Sequence, residues 1–380
     1  MRKILITGAK GFVGKNLTET LRSIRDGKDK TRAIDADLEL YEYDIDTPEE
    51  MLSKFCSDCD FVFHLAGVNR PKDEAEFMKG NFGFTSVLLG ELKKHGNKCP
   101  VLITSSIQAA LDNPYGRSKR AGEELIAEYG RENGVKTLIY RLPNVFGKWC
   151  KPNYNSVVAT FCSNIANDMP ITVNDRNTVL TLVYIDDVVN ELLAALTGKE
   201  THDGEYCRVP ITHEASLGEI ADLLYQFKDS RATNVIPKMS GFSKKLYSTY
   251  LSYLPKTEFA YQATMHCDAR GSFTELFKTA EYGQVSVNIS KPGITKGNHW
   301  HHSKNEKFAV VSGKGVIRFR KPDSDEVTEY FVSGDNIEIV DIPTGYTHNI
   351  ENLGDSDMIT IMWCNECFDP EKPDTYFLEV

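Results

Sequence analysis

The sequence predicts an α/β domain built on a doubly wound parallel sheet, followed by an all-β domain built as a jelly-roll barrel. From the first residues onwards strand-like and helix-like segments alternate, beginning with an apolar strand that enters a glycine-rich turn; this alternation is typical of a parallel sheet covered by helices. Beyond residue 263, short strands follow one another with Gly and Asp turns, which favours a jelly roll. The predicted domains are 1–245 and 263–380, joined by a packed junction over 246–262.

The composition indicates a soluble globular protein of the cytoplasm. The 380 residues are 41% hydrophobic and 26% charged, and no apolar run reaches the roughly 18 residues of a membrane span. The chain opens directly on a strand, without a signal peptide, and nine cysteines without a scaffold spacing suit a reducing compartment. A net charge of −10 argues against nucleic acid as the main partner.

Two Cys-x-x-Cys pairs, Cys56/Cys59 and Cys364/Cys367, leave two interpretations open. Reduced, partly buried thiols are the simpler one. A four-cysteine zinc site is the alternative, and it would have to bridge the two predicted domains.

The turn after the first strand, Arg2–Ile6, is a candidate dinucleotide site. Its glycines let the backbone approach a pyrophosphate, which would lie on the N-terminus of the following helix. Further strands are predicted at Leu38–Tyr43, Phe61–Leu65, Val101–Ser105 and Lys136–Tyr140. The predicted cofactor-binding residues are Gly8, Lys10, Gly11, Phe12, Val13 and Gly14 in the turn, and Leu65, Ala66 and Gly67 after the third strand.

Side chains near the end of the fourth strand form a candidate site for carbonyl reduction. Tyr115 and Lys119 lie one helical turn apart and therefore on one face. A lysine charge beside the tyrosine favours the phenolate, so the phenol can pass a proton to a carbonyl that is being reduced. Ser106 would bond the carbonyl oxygen. The gap from Ser106 to Tyr115 is short, so Ser105 is an alternative for that role.

Residues 1–245 resemble the extended short-chain dehydrogenase/reductase family. The glycine turn, Ser-Ser and Tyr-x-x-x-Lys are accompanied by His64-Leu-Ala-Gly67, Arg141-Leu-Pro-Asn144 and Tyr184-Ile-Asp-Asp187. The resemblance implies a Rossmann-type NAD(P)-binding fold, catalysis by Ser106, Tyr115 and Lys119, and a nucleotide sugar as substrate. An arginine that often precedes the Tyr-x-Asp-Asp strand is replaced here by Leu180. The expected substrate-binding residues are Arg70, Asn144, Lys148 and Arg176, with Lys72, Lys151, Asn153 and Tyr154 nearby.

The second domain contains four candidate metal ligands, His299, His301, Glu306 and His348. Residues two apart on a strand share a face, and three imidazoles with one carboxylate could hold a divalent metal and leave a position open for substrate. Their spacing, Gly293-x5-His299-x-His301-x4-Glu306-x6-Gly313 and Gly334-x8-Pro343-x-Gly345-x2-His348-x3-Asn352, resembles the two cupin motifs. The first gap of the second motif is longer than usual.

The opening of this domain, Asp268-Ala-Arg-Gly-Ser-Phe-Thr-Glu275, resembles that of cupins that epimerise nucleotide-linked keto sugars. Taken whole, the chain resembles the CapF-type family of bifunctional capsular polysaccharide enzymes. That resemblance implies that the cupin epimerises UDP-2-acetamido-2,6-dideoxy-4-hexulose at C3 with a divalent metal, and that the reductase domain then reduces the C4 ketone with NADPH for N-acetyl-L-fucosamine synthesis. We expect a homodimer.

Two other functions stay open. The cupin could be a sugar-binding or dimerising module without activity beside a keto-sugar reductase, or its site could hold iron and act as an oxygenase. Four intact ligands argue against the first, and the epimerase-like opening argues against the second. Zinc is preferred because polarising a carbonyl needs no redox chemistry. The sequence does not decide whether C3 or C5 of the sugar is epimerised. It does not identify the general base either, since His302 and Lys307 alternate away from the ligand face.

Two residues give opposite indications about the cofactor. Asp44, at the end of the second strand, suits the ribose hydroxyls of NADH and repels a 2′-phosphate. Lys10, inside the glycine turn, is a cation that can reach a 2′-phosphate. Because the family resemblance also implies NADPH, we expect NADPH, with NADH as the alternative.

Overall fold

The computed structural model describes residues 1–71 and 73–380, which form two compact units. Unit 1 comprises Met1–Leu224 and Lys244–Leu254, and unit 2 comprises Tyr225–Ser243 and Pro255–Val380. These bounds differ from the predicted boundary at 245 and junction at 246–262, because two helices, Leu217–Thr233 and Gly241–Leu251, each contain residues of both units. The independence of the two cores stays a prediction.

Unit 1 alternates strands and helices as expected. Its strands are β1 Arg2–Thr7, β2 Leu38–Tyr43, β3 Phe61–His64, β4 Val101–Ser106, β5 Thr137–Leu142, β6 Asn144–Phe146, β7 Val179–Tyr184, β8 His202–Asp203, β9 Tyr206–Cys207 and β10 His213–Ser216. The helices of the chain are α1 Phe12–Arg25, α2 Glu49–Asp58, α3 Ala75–Phe77, α4 Phe84–Lys94, α5 Pro114–Asn133, α6 Val157–Ala166, α7 Ile185–Leu196, α8 Leu217–Thr233 and α9 Gly241–Leu251. A π-helix, Met78–Gly83, precedes α4, and 3-10 helices span Ile107–Ala110 and Lys256–Glu258.

The main sheet of unit 1 has the strand order β2-β1-β3-β4-β5-β9-β8, parallel except for the β8–β9 pair. Successive side chains of β1 serve opposite faces: Ile4 packs with Leu17 of α1, whereas Leu5 packs with Leu88 of α4. Both faces of the sheet are therefore covered by helices, which is the doubly wound arrangement that the sequence predicts. A smaller sheet has the order β10-β7-β6.

From residue 265 onwards, unit 2 is built of strands that form two antiparallel sheets, as predicted. Its strands are β11 Met265–Asp268, β12 Gly271–Thr279, β13 Gly283–Ser290, β14 Thr295–Trp300, β15 Glu306–Ser312, β16 Lys314–Arg320, β17 Val327–Ser333, β18 Ile339–Ile342, β19 Thr347–Asn352, β20 Met358–Cys364 and β21 Tyr376–Phe377. One sheet has the order β11-β12-β13-β20-β15-β18 and the other β17-β16-β19-β14-β21. An apolar cluster that includes Phe308, Ile317 and Ile350 contains residues of both sheets.

Over the two described ranges, none of the helices combines the length and the apolar character that crossing a bilayer requires. The cysteines are free thiols. Cys59 Sγ lies 3.7 Å from Cys99 Sγ rather than in a metal cluster, and burial raises the pKa of Cys56 to about 12. Cys367 Sγ donates to the carbonyl of Thr279 at 3.5 Å. These environments favour the interpretation as reduced thiols.

Candidate functional site

The glycine turn between β1 and α1 is closely packed against the segment that follows β3. Gly8 adopts a φ of +70°, and a Cβ there would lie 2.7 Å from the nitrogen of Ala66. A Cβ on Gly14 would lie 2.0 Å from the carbonyl oxygen of Gly8. Only glycine fits at either position, and Gly8 lies directly against the backbone of Leu65 and Ala66. The predicted cofactor residues Gly8 to Gly14 thus span the turn and the start of α1, and Leu65 to Gly67 follow β3. Tyr115 and Lys119, which are also expected to contact the cofactor, lie in α5.

Asp44 directly follows β2 and lies against the same turn. Its Oδ2 accepts the N–H of Lys10 at 2.8 Å, and its Oδ1 accepts the N–H of Ile45 at 2.8 Å. The Lys10 ammonium forms an ion pair with Asp46, which raises the lysine's pKa. Asp44 and Lys10, which give opposite indications about the cofactor, are therefore neighbours. The Lys10 ammonium already has the Asp46 carboxylate as its partner.

Ser106 is the serine that contacts Tyr115. Burial raises the pKa of Tyr115, and a hydrogen bond with the Ser106 side chain partly offsets that rise. The 3-10 helix Ile107–Ala110 lies in the short segment between them and packs against the start of α5: a Cβ on Gly116 would lie only 2.3 Å from the carbonyl oxygen of Gln108. The hydroxyl of Ser105 is buried without a hydrogen-bond partner among the described residues.

Lys119 is buried beneath this pair. Its Nζ donates to the carbonyl of Thr104 at 3.2 Å, and a Cβ on Gly67 would lie 3.0 Å from that nitrogen. Burial lowers the pKa of Lys119 to about 8, against a smaller opposing effect of the Glu123 charge. The lysine thus joins the tyrosine helix to the loop that would contact a cofactor.

Asn81 is a site residue that sequence reasoning missed. It lies in the π-helix Met78–Gly83, a rare conformation that is frequent at functional sites. Its Oδ1 accepts the N–H of Val68 at 2.9 Å, and its Nδ2 donates to Ser118 Oγ at 2.9 Å. Asn81 therefore ties the loop after Gly67 to the helix of Tyr115 and Lys119. A single asparagine in a polar helix offers no periodicity that would have revealed this.

His64, in the predicted His-Leu-Ala-Gly segment, supports the sheet edge rather than facing a ligand. Its Nδ1 lies 2.7 Å from Thr7 Oγ1 and its Nε2 lies 2.8 Å from Thr85 Oγ1. Complete burial lowers the pKa of His64 to about 3, so the ring is neutral. It links β1, just before the glycine turn, to α4.

The expected substrate-binding residues are partly engaged with other side chains. Lys148 forms an ion pair with Asp186 at 2.5 Å, and Arg176 pairs with Asp222 at 2.7 Å. Asn144 donates to the carbonyl of Thr181 at 3.1 Å, and Arg70 is exposed. Among the described residues, no hydrogen bond or ion pair joins these four to one another. Lys72 lies outside the described residues.

The four predicted metal ligands of unit 2 converge. One ligand atom from each of His299, His301, Glu306 and His348 lies within 4.8 Å of the others. Glu306 Oε2 is 3.5 Å from His301 Nε2 and 3.4 Å from His348 Nε2. His299 and His348 face each other across the β14–β19 pair, while Glu306 is the first residue of β15. Both sheets therefore contribute to the cluster.

The cluster has the properties of a cation site. Buried ligand atoms without a hydrogen-bond partner in the described structure are His301 Nε2, Glu306 Oε2 and His348 Nε2, an arrangement that costs free energy unless something binds them. Burial lowers the pKa of His299 to about 4. Burial alone would raise the pKa of Glu306, but the neighbouring imidazoles of His301 and His348 lower it overall. Neutral imidazoles and an ionised carboxylate are the states that bind a divalent metal.

A polar wall of unit 2 was also missed by the sequence reading. Glu306 pairs with Cys364, which pairs with Gln284, so these residues point to the same face of their sheet. Further polar side chains occupy buried positions of this face, at Ser286, Asn288, Ser290 and Thr360. The Thr360 hydroxyl has no partner among the described residues. A barrel lined in this way suits a polar ligand beside Glu306.

The Lys296 ammonium reaches the same wall. It donates to Asn288 Oδ1 and to the carbonyl of Ile289, both at 2.8 Å, and burial lowers its pKa. His302 contacts the rings of Trp300 and Tyr376, and Lys307 pairs with Asp341.

Comparison with known proteins gives matches over both units. Residues 4–206 match the NAD dependent epimerase/dehydratase family, and residues 266–376 match the polysaccharide biosynthesis C-terminal domain. The UDP-2-acetamido-2,6-beta-L-arabino-hexul-4-ose reductase of Pseudomonas aeruginosa is 44% identical over 379 residues, which cover 100% of this chain and 99% of that protein.

Solved structures match over the full length. Capsular polysaccharide assembling protein CapF from Staphylococcus aureus is 58% identical, with a TM-score of 0.92 over 99% of this chain and 100% of that one. CapF with the inhibitor 3-isopropenyl-tropolone is 54% identical, with a TM-score of 0.87 over 100% of both chains. The UDP-glucuronic acid 4-epimerase of Bacillus cereus, in complex with NAD, is 23% identical and covers 66% of this chain and 98% of its own, with a TM-score of 0.53. That last likeness concerns the fold alone.

Proposed function

The chain belongs to the NAD dependent epimerase/dehydratase family and, within it, to the group that includes CapF, and on this premise we propose that it converts a UDP-linked 4-keto sugar in two steps. Unit 2 epimerises UDP-2-acetamido-2,6-dideoxy-4-hexulose at C3, and unit 1 then reduces the C4 ketone to a UDP-6-deoxy-L-talose sugar. The product serves N-acetyl-L-fucosamine in a capsular or surface polysaccharide. The observation that carries the proposal is the pairing of the Ser106–Tyr115–Lys119 site with four converging metal ligands in one chain.

The reduction uses side chains of unit 1. A nicotinamide bound at the glycine turn supplies the hydride. The Tyr115 hydroxyl donates a proton to the ketone oxygen, and its raised pKa keeps that proton in place until the oxygen becomes basic. Ser106 donates a hydrogen bond to the same oxygen as charge develops on it. The charge of Lys119 stabilises the phenolate that remains.

The cofactor that we propose is NADPH. The Lys10 ammonium can exchange the exposed carboxylate of Asp46 for a 2′-phosphate, because both groups are accessible. Asp44 opposes this, but both of its oxygens accept N–H groups of the chain. The ratio of kcat/KM for NADPH and NADH tests the assignment, and Lys10→Ala should lower that ratio. A wild-type preference for NADH would show that the Asp44 carboxylate dominates.

The epimerisation takes place at the four-ligand cluster of unit 2. His299, His301, Glu306 and His348 would hold a divalent cation, for which we propose zinc. When bound, it polarises the ketone oxygen and thereby acidifies the neighbouring C–H. The tropolone bound to CapF has adjacent carbonyl and hydroxyl oxygens, which form a chelating pair for such a cation. The polar wall beside Glu306 would bind the sugar hydroxyls.

Proton exchange in heavy water tests this step. The full-length enzyme is given the 4-keto sugar without a nicotinamide, with and without a chelator. We expect deuterium at C3 and no exchange after chelation; label at C5 instead would place the epimerisation there. An enzyme that shows no exchange here, yet reduces the ketone once NADPH is added, would favour a non-catalytic β unit, and oxygen consumption would favour an oxygenase.

Two variants test whether the deuterium exchange depends on the proposed metal ligands. His299→Ala and Glu306→Ala should lose the metal and the exchange together, whereas reduction of an already epimerised ketone continues. A full metal complement in both variants, measured by elemental analysis, would refute the site. The expected homodimer is a separate proposal, which sedimentation equilibrium tests.

A further inference from the structure

The loop that carries His301 is held by a distant part of the chain. β14 ends at Trp300, so His301 and the residues up to Lys304 lie outside any strand. The segment Pro373–Val380, called the strap here, runs along this loop. Strand β21 of the strap pairs with β14, with Phe377 opposite His299.

Asp374 makes the main contacts of the strap. Its carboxylate accepts the N–H groups of His302 at 3.0 Å, Ser303 at 2.8 Å and Lys304 at 2.8 Å, and the Ser303 hydroxyl at 3.1 Å. Charge-assisted bonds of this kind are stronger than neutral ones. Consecutive N–H groups that converge on one carboxylate fix the path of the loop.

The main chain of Asp374 contacts the candidate metal ligand His301 directly. His301 Nδ1 lies 2.6 Å from the carbonyl oxygen of Asp374. Because a carbonyl only accepts, Nδ1 carries the hydrogen and Nε2 keeps its lone pair. That Nε2 is the buried, unpartnered atom that faces Glu306. Asp374 has a φ of +40°, an unfavourable region for a residue with a Cβ, so its conformation depends on these contacts.

Lys304, in the loop that carries His301, binds the strap through its side chain. It is only 7% exposed, and its ammonium donates to the carbonyl of Pro373 and to Thr375 Oγ1, both at 2.8 Å. The residues on either side of Asp374 are thereby bound to the same loop. Neither Asp374 nor Lys304 lies in the four-ligand cluster.

We propose that the strap sets the metal affinity of unit 2, with Asp374 as the positioning residue. This inference rests on the metal binding proposed above. Partners that orient a metal-bound histidine typically change affinity by about 10–100-fold when they are removed. The strap orients His301 through a carbonyl and supports His299 through strand pairing.

The test measures zinc affinity of the full-length protein by competition with a chromogenic chelator. Asp374→Ala should weaken zinc binding by about 10–100-fold. Asp374→Asn tolerates a positive φ and keeps one acceptor oxygen for Ser303 and Lys304, but its NH2 group cannot accept the N–H of His302. Its affinity should therefore lie between those of Asp374→Ala and the wild type. Asp369→Ala is the matched control, since Asp369 is an exposed carboxylate nearby whose Oδ1 accepts the N–H of Glu371 at 2.9 Å. Thermal unfolding of each variant, measured without zinc, reports on the folding of unit 2.

A second readout is the tautomer of His301 in the metal-free protein, from its imidazole nitrogen shifts. We expect Nδ1–H in the wild type and a mixture in Asp374→Ala. Wild-type affinity and tautomer in Asp374→Ala would overturn the positioning role while leaving the metal proposal intact. A wild-type protein that binds no zinc would instead overturn both.

Discussion

Tyr115 gives the most direct residue-scale test of the reductase. Tyr115→Phe removes only the hydroxyl that donates the proton, so ketone reduction should fall by about 100-fold or more. Deuterium exchange in unit 2 should continue at the wild-type rate. NADPH oxidation within about tenfold of wild type, roughly 1.4 kcal/mol of barrier, would contradict the role of Tyr115.

The buried ammonium of Lys119 predicts a pH dependence. Because burial lowers its pKa to about 8, the charge is present below that pH and is lost as the pH rises through it. The rate of reduction at saturating substrate should therefore fall above about pH 8, since the phenolate of Tyr115 loses a stabilising charge. Proton exchange in unit 2, measured on the same samples, does not involve Lys119 and therefore serves as the control. A reduction rate that stays flat well beyond the pKa of Lys119 would contradict this.

The sequence predicted residues whose spacing carries information, but not those that act through tertiary contacts. The pair Tyr115 and Lys119 follows from helix periodicity, and the four candidate metal ligands follow from a spacing that resembles the cupin motifs. The structure places Tyr115 in contact with Ser106 and brings the four candidate ligands together. Asn81 and Asp374 reach their partners across 37 and 73 residues, so no local pattern reveals them. The pairing of Lys148 with Asp186 likewise depends on the fold.

At the element scale, the glycine turn determines how closely α1 can approach β3. Gly14→Ala places a Cβ 2.0 Å from the Gly8 carbonyl oxygen, so the helix must shift. We expect a loss of about 1–3 kcal/mol in the free energy of unfolding and a cofactor affinity at least about tenfold weaker, which is about 1.4 kcal/mol. The measurements are chemical denaturation and fluorescence titration with NADPH.

Gly90→Ala is the matched control for that substitution. Gly90 is exposed in the middle of α4, and nothing lies within 4 Å of an added Cβ. Alanine should therefore stabilise the helix by about 1 kcal/mol and leave NADPH binding unchanged. Equal effects of the two substitutions would show that the turn imposes no special constraint.

The elements themselves were predictable where hydrophobic patterns are simple. β1 to β5 lie near the predicted strands. For β3 and β4 the reason is that buried parallel strands read as nearly continuous apolar runs. Strand β14, which carries the candidate ligand His299, was less regular than expected: a bulge lies between Gly297 and His299, and Asn298 adopts a φ of +60°. Strand alternation alone therefore does not explain why His299 and His301, with ring centroids 5.1 Å apart, face one cluster.

At the scale of the whole molecule, the two proposed activities would have a thermodynamic reason to occur in one chain. Epimerisation only equilibrates two isomers, and the ketone that makes the neighbouring C–H acidic is lost on reduction. Placing the irreversible reduction second would drain one isomer from the equilibrium. The domain bounds were harder to predict than the domain classes, because α8 and α9 are each shared between the units.

Ligand-specific unfolding tests whether the two units are separate cores. A ligand that binds only the folded state stabilises it by about 2.7 kcal/mol at a concentration 100 times its Kd. In calorimetry we therefore expect two unfolding transitions. Zinc should raise the Tm of one transition and a chelator should lower the Tm of that same transition. NADPH should raise the Tm of the other transition only. His299→Ala should abolish the response to zinc and leave the response to NADPH. A single transition that shifts with either ligand would mean that the units unfold cooperatively, since binding to one unit would then stabilise both.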